Sequence, residues 1–264
     1  MHLHVVQAGE GAPVVLLHGL TATHRYVVMG SRALERGGHR VIAYDARGHG
    51  RSDPAPAADA YGYEELANDL VRIMDERRVR RAVLAGASMG AHTALRVALE
   101  WPERVAGLVL ITPAYDDDGF GDPAGLARWD ALAEGLRSGG VEGFVRAYGD
   151  PKVPERWRET TLTVLRQRLA AHEHPAAVAD ALRVVPRSRP FGTLEDLDVI
   201  DAPTVVVADR DEPDPGHPLA VGEAYARAIP GARLVVEEEG RSPIAWQGAQ
   251  LSRLIAEVAA EAGR

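Results

Sequence analysis

Ser88 is the side chain best placed for covalent chemistry, because it lies in the segment Gly86-Ala87-Ser88-Met89-Gly90, between an apolar run and a helix-forming run. Small flanking residues allow a sharp turn, which would lift the serine hydroxyl above the end of a strand. The main-chain N–H of Met89 would then lie at a helix start, where it could stabilise an oxyanion. The spacing predicts a nucleophilic serine. The alternative, a chance arrangement in a chain with 27 glycines, is disfavoured by the strand before it and the helix after it.

The elements around Ser88 alternate between strand and helix patterns. Helical patterns cover about 63–78, the residues after Ser88, and 244–260. This alternation is typical of a mostly parallel sheet flanked by helices, so we predict an α/β core made of residues 1–113 and 190–264. The predicted strands are short apolar runs at 14–19, 40–46, 81–88, 105–111, 204–208 and 232–238.

Residues 114–189 interrupt this alternation. They contain only helical patterns, separated by turns rich in glycine and proline. We predict that the segment is a helical lid inserted after a strand of the sheet. Its aromatic residues are expected to pack a small core of the lid itself.

Composition excludes several classes of function. A chain of 264 residues that is 46% hydrophobic suits one α/β domain with an insertion. A net charge of −8 argues against nucleic acid or an anionic membrane as a partner, so a small molecule is expected. The absence of cysteine excludes disulfides and thiolate chemistry. With no apolar span, secretory leader, metal motif or dinucleotide motif, we expect a cytoplasmic protein without cofactors. The oligomeric state is not indicated.

The sequence resembles the α/β-hydrolase superfamily over essentially its whole length. Besides the segment at Ser88, His18-Gly19-Leu20 resembles the family's H-G-x turn, and residues 44–52 resemble its D-x-R-G-x-G-x-S loop. The resemblance implies that the main-chain N–H of Leu20 is an oxyanion donor together with that of Met89. It also implies that His18 braces the turn, that the 44–52 loop is mainly structural, and that a lid lies at 114–189.

In this family, the acidic residue that orients the catalytic base commonly follows a late strand in a pattern like G-x-x-D-x-x-x-P. The segment ADRDEPDP at 208–215 matches with Asp211, which we therefore expect to orient the base, in preference to Asp209 and Asp214. Aspartates are common in polar turns after strands, which is the structural alternative. The triplet at 116–118 is a second choice, because some relatives place the acid after the earlier strand.

The catalytic histidine of the family is missing from its usual place. Relatives carry it in a G-H-x-P stretch after the last strand, where this chain has GRSP at 240–243. Arg241 cannot act as a base, because the guanidinium pKa exceeds about 12. A serine without a base is a weak nucleophile, so another residue must serve if the chain is catalytic.

Four explanations are open. His217, on the loop just past Asp211, could be a relocated base, as could His24 or His49 on other loops. Arg241 could instead pair with Asp211 or bind a substrate carboxylate. The chain could have lost catalysis and kept the fold for binding. Finally, Arg241 could be a substitution in an otherwise ordinary hydrolase.

The leading hypothesis is a serine hydrolase of small or medium acyl esters, thioesters or lactones, which forms an acyl-enzyme on Ser88. The alternative is a non-hydrolytic or catalytically impaired relative that binds an acidic small molecule through Arg241.

Overall fold

A computed structural model of the chain describes residues 1–239 and 247–263. Within these ranges, seven strands form one sheet in the order β1-β3-β2-β4-β5-β6-β7. Every neighbouring pair is parallel except β1 and β3, which are antiparallel. The predicted fold class, a mostly parallel sheet flanked by helices, is confirmed. The strands are β1 (Val5–Ala8), β2 (Ala12–Leu17), β3 (His39–Tyr44), β4 (Ala82–Ala87), β5 (Val105–Ile111), β6 (Thr204–Ala208) and β7 (Arg233–Val236).

Helices cover both faces of the sheet, which explains why its central strands are nearly continuous apolar runs. Successive side chains of a strand point to opposite faces. Val15 and Leu17 of β2 therefore join one core with residues of α2, α3 and α7, while Val14 and Leu16 join the other core with residues of α1 and α8. These five helices are α1 (Ala33–Arg36), α2 (Tyr63–Glu76), α3 (Met89–Glu100), α7 (Leu219–Ala228) and α8 (Gly248–Ala262).

The remaining three α-helices lie between β5 and β6, in the segment predicted to be inserted. They are α4 (Pro123–Tyr148), α5 (Glu155–Leu169) and α6 (Pro175–Val184), and residues 114–189 contain no strand. Helix α4 consists of two pieces joined at Gly140, whose φ is 58°. The boundaries of this segment as a lid, 114–189, remain a prediction. No helix in the described ranges is long and apolar enough to cross a membrane.

His172, between α5 and α6, connects the inserted helices to the core. Its Nδ1 accepts a hydrogen bond from the Gly50 N–H at 2.9 Å, and its Nε2 donates to the Thr21 carbonyl oxygen at 3.2 Å. Burial lowers the pKa of His172 to about 4, so the ring is neutral and can make both bonds at once. The insertion is therefore attached next to the turn that carries Leu20.

Candidate active site

Ser88 occupies a strained turn between β4 and α3. Its φ of 49° and ψ of −112° lie in a region that residues other than glycine adopt at a cost of about 1–3 kcal/mol. The Ser88 N–H donates to the Ile111 carbonyl oxygen at 2.9 Å, which ties the turn to β5. A Cβ on Gly86 would lie 2.2 Å from the Gly90 carbonyl oxygen, and one on Gly90 would lie 2.3 Å from that of Leu17. The close packing of strand, turn and helix thus requires both glycines.

His217 lies within hydrogen-bond distance of the Ser88 hydroxyl. Its Nε2 is 3.0 Å from Ser88 Oγ, and its Nδ1 is 2.7 Å from Asp214 Oδ2. His217 and Asp214 belong to the loop between β6 and α7, which follows the carboxyl end of strand β6. The three side chains therefore form a serine–histidine–aspartate series with the contacts that an activated serine needs.

The charges around His217 oppose the effect of its burial. Burial lowers the pKa of His217, but the charge and hydrogen bond of Asp214 and the charge of Asp209 raise it, so the pKa ends above its ordinary value. Burial raises the pKa of Asp214, but His217 and the Gly216 N–H have a larger, opposite effect. The net pKa is therefore below its ordinary value, and the carboxyl stays ionised. The carboxylate accepts a hydrogen bond from the Nδ1–H of the neutral ring, which leaves Nε2 free to accept the Ser88 proton.

Asp211 has a different contact from the one expected. It is exposed, and its Oδ1 accepts a hydrogen bond from the Leu219 N–H at 2.7 Å, at the first residue of α7. It thus satisfies one of the main-chain N–H groups that a helix start leaves without a partner. The expectation that Asp211 orients the base is corrected: Asp214, three residues later, holds His217.

The sequence does contain a signal for this pairing. Asp214-Pro215-Gly216-His217 is a typical β-turn sequence, with aspartate first, proline second and glycine third. The His217 N–H donates to the Asp214 carbonyl oxygen at 3.1 Å, as a β-turn requires. Such a turn brings its first and fourth residues together. Asp211 was predicted instead because it matches the aspartate of the family's G-x-x-D-x-x-x-P pattern.

The turn at residues 18–20 lies directly beside Ser88. A Cβ on Gly19 would be 3.4 Å from the Ala87 carbonyl oxygen and 3.6 Å from Ser88 Cβ. Met89 is the first residue of α3, where main-chain N–H groups have no partner within the helix. Oxyanion binding by the N–H groups of Leu20 and Met89 remains a prediction, and this proximity favours it.

Two buried histidines have structural contacts. His18 donates from Nδ1 to the carbonyl oxygen of the next residue at 2.8 Å and accepts from the Ala46 N–H at 2.9 Å. His92 Nδ1 lies 2.9 Å from Tyr63 Oη, while its Nε2 accepts from two main-chain N–H groups. Burial lowers the pKa of each to about 3. Both rings are therefore neutral parts of the scaffold.

The other two candidate bases also have contacts away from Ser88. His24 Nδ1 donates to Asp45 Oδ1 at 2.8 Å. The ring nitrogens of His49 lie 2.9 Å from the Arg47 carbonyl oxygen and 2.7 Å from that of Leu20. The rings of His24 and His49 therefore have hydrogen-bond partners other than Ser88, whose Oγ lies 3.0 Å from His217 Nε2.

Two further expectations concern Arg241 and the aspartates at 116–118. Arg241 lies outside the described residues, so its role remains a prediction. In the triplet, Asp116 Oδ1 accepts from the Asp118 N–H at 3.2 Å, within a local turn.

One group of side chains has the composition of a metal site. His4, His24 and Asp45 each offer a potential ligand atom, and these atoms lie within 4.8 Å of one another. His24 and Asp45 already share a hydrogen bond, and this group includes none of the three residues at Ser88. A surface cavity of about 620 Å³ is also separate: its lining includes Asp59, Asp180 and Arg187 but no residue of the serine–histidine–aspartate series.

Comparisons with known proteins match nearly the whole chain. A family model described as alpha/beta hydrolase fold matches residues 12–249. The protein named "Putative carbamate hydrolase RutD" from Variovorax paradoxus (strain S110) is 33% identical over 214 residues, 80% of this chain and 78% of that protein. A thermophilic esterase from Thermogutta terrifontis, solved with malate bound, is 26% identical with a TM-score of 0.80, over 99% of this chain and 94% of its own. Est816, described as an N-acyl homoserine lactone degrading enzyme, is 27% identical with a TM-score of 0.72, over 99% and 96%.

Proposed function

This chain belongs to the α/β-hydrolase fold family, and on that premise we propose that it is a serine hydrolase in which His217 is the general base and Asp214 orients it. One observation carries the proposal: Ser88 Oγ lies 3.0 Å from His217 Nε2, whose ring is held from the other side by Asp214 at 2.7 Å. A weak hydroxyl nucleophile becomes reactive when a base takes its proton during attack.

The chemistry follows from these contacts. His217 takes the proton of Ser88 as Oγ attacks the substrate carbonyl carbon, and the carbonyl oxygen becomes an oxyanion. The N–H groups of Leu20 and Met89 donate to that oxyanion. His217 then gives the proton to the leaving alcohol, thiol or lactone oxygen, and the acyl-enzyme remains on Ser88. A water molecule, deprotonated by the same ring, then attacks the acyl carbon. His217 returns the proton to Ser88 Oγ as the acyl–Oγ bond breaks and the acid leaves.

The names of similar proteins support a substrate with a carbonyl group for this chain. The names of the similar proteins refer to a carbamate, to esters and to an N-acyl homoserine lactone. We propose small or medium acyl esters, thioesters or lactones for this chain. We propose that the protein acts on a small molecule, without a nucleic-acid or membrane partner, and that it is cytoplasmic.

A fluorophosphonate probe tests the proposal directly. It should label the intact protein on Ser88, because the probe reacts only with an activated serine, while the Ser88→Ala variant should remain unlabelled. Intact-protein mass spectrometry measures the adduct, and peptide mapping locates it. Absence of labelling from mildly acidic to alkaline pH would overturn the proposal.

A further inference from the structure

We propose that Arg168 binds a carboxylate on the substrate, so that the site prefers esters or lactones that carry a free acid group. This inference rests on the proposed function and names its substrate class. Arg168 lies near the end of α5 in the inserted segment, and no sequence motif pointed to it.

One ring contact and two charge effects relate the Arg168 guanidinium to the Ser88 site. Its central carbon lies 5.4 Å from the centroid of the Tyr26 ring, and Tyr26 follows the turn that carries Leu20. Its charge also acts on both members of the loop pair: it lowers the pKa of Asp214 and opposes the rise in the pKa of His217. The guanidinium therefore lies against Tyr26 and close enough to the loop that supplies the base for its charge to act on that loop.

The Arg168 side chain is half-buried, and its Nε is inaccessible and has no hydrogen-bond partner among the described residues. Burial lowers the pKa of its guanidinium. The other arginines of the same helix have carboxylate partners. Arg166 Nε lies 2.7 Å from Glu142, and Arg156 lies 2.9 Å from Glu212. Arg158, whose Nε also has no hydrogen bond, pairs with Glu155 through Nη1 at 2.9 Å. A half-buried guanidinium that has no carboxylate partner and carries an unpartnered donor is costly, and a ligand carboxylate beside it would offset that cost.

Asp214, on which the charge of Arg168 acts, does not fill this role. Asp214 directs Oδ2 to His217 and Oδ1 to the Gly216 N–H. A guanidinium presents a planar fork that matches a carboxylate and can bind it through two parallel hydrogen bonds. A singly charged carboxylate also suits the position better than a doubly charged phosphate, because Asp214 and Asp209 are close enough to act on His217.

Matched esters test the inference in both halves of the substrate. Monoethyl adipate and ethyl hexanoate differ by a carboxylate on the acyl side, and 3-acetoxypropanoate and propyl acetate differ by one on the alcohol side. We expect the protein to prefer the acidic member of at least one pair. Arg168→Met should lower the acidic-to-neutral ratio of kcat/KM for that pair by about 10- to 100-fold, as expected for a lost charged hydrogen bond, mainly through KM. Arg168→Lys should keep part of the preference.

Arg166→Met is the matched control, because Arg166 lies on the same helix and is exposed and paired with Glu142. It should leave the ratio unchanged. An equal loss on both members of a pair in Arg168→Met would overturn the inference, because it would mean that Arg168 acts only through Asp214, His217 or packing. A protein with no preference in either pair would overturn it too.

A binding measurement separates this inference from the proposed function. Calorimetry should show that the Ser88→Ala protein binds monoethyl adipate or 3-acetoxypropanoate, and that Ser88→Ala/Arg168→Met binds it about 10-fold or more weakly. If the two variants differ in binding as expected but the unmodified chain hydrolyses no ester, the proposed hydrolase function is overturned and the carboxylate site is retained. Equal binding by the two variants would overturn the site, whatever the turnover.

Discussion

His217 Nδ1 and Asp214 Oδ2 lie 2.7 Å apart across a single β-turn, so one four-residue stretch carries both the proposed base and the carboxylate that orients it. The family pattern instead places the histidine in the loop after the last strand, where this chain has Arg241. The pair is held by local geometry, because the His217 N–H also bonds to the Asp214 carbonyl oxygen at 3.1 Å. The imidazole and the carboxylate are therefore positioned together, and only their approach to Ser88 depends on the rest of the fold.

Loss of His217 should abolish turnover. His217→Ala is expected to lower kcat for a simple ester by about 10⁴-fold or more, because Ser88 then has no base. Initial rates with purified protein measure the loss, and His2→Ala, an exposed histidine at the chain start, should retain the original rate. A His217→Ala protein that keeps its kcat would contradict the assignment.

The two aspartates of the same loop should respond differently. Asp214→Asn is expected to lower kcat by about 10³- to 10⁴-fold, because an amide donor at this position favours the wrong tautomer of His217. Asp211→Asn should leave kcat within a few-fold, since Asp211 bonds to the start of α7. The reverse order of effects would restore Asp211 as the acid.

The pH dependence of turnover should reflect the raised pKa of His217. The base must be neutral, so kcat/KM for an uncharged ester should rise with pH through an inflection above about 6.5, the ordinary histidine value. The charge of Asp214 raises this pKa, so in Asp214→Asn the inflection of the residual activity should move to lower pH. An unchanged inflection in that variant would show that another group controls the acidic limb.

The packing of the turn at Ser88 should make it intolerant of a single added methyl group. Gly90→Ala is expected to destabilise the fold by about 1–3 kcal/mol or more, because the new Cβ would meet the Leu17 carbonyl oxygen at 2.3 Å. Denaturant unfolding measures the loss. Gly119→Ala is the control, since its Cβ would meet nothing nearer than 3.4 Å. Equal stability of the two variants would show that the turn can relax.

The central strands are predictable from sequence, whereas edge strand β1 and helices α1 and α7 are not. The bounds of β5 and β6 coincide with the predicted apolar runs, because strands buried on both faces contain little else. Strand β1 was not predicted, since VVQA is a short, half-exposed edge strand without such a run. Helix α7 was also not predicted; it follows a loop rich in aspartate and proline that dominates the local pattern. The predicted start of the last helix, at 244, lies outside the described residues.

The local motifs of the site were predictable from sequence, but the contacts between distant residues were not. Ser88 and the turn at residues 18–20 have local motifs, because strained turns demand small residues. The contact between Ser88 and His217 joins positions 129 residues apart, and no local pattern encodes it. Arg168 shows the same limit, because its nearness to Tyr26 depends on how the inserted helices pack onto the core.

The two hydrogen bonds of His172 form a linkage between the junction of α5 and α6 and the turn that carries Leu20. Because one ring both accepts from Gly50 and donates to Thr21, a displacement at the junction of α5 and α6 would pull on the main chain one residue from Leu20. Helix α5 carries Arg168 at the same end. Strain applied by a molecule seated against that end would therefore be transmitted along the linkage to the peptide group expected to hold the oxyanion.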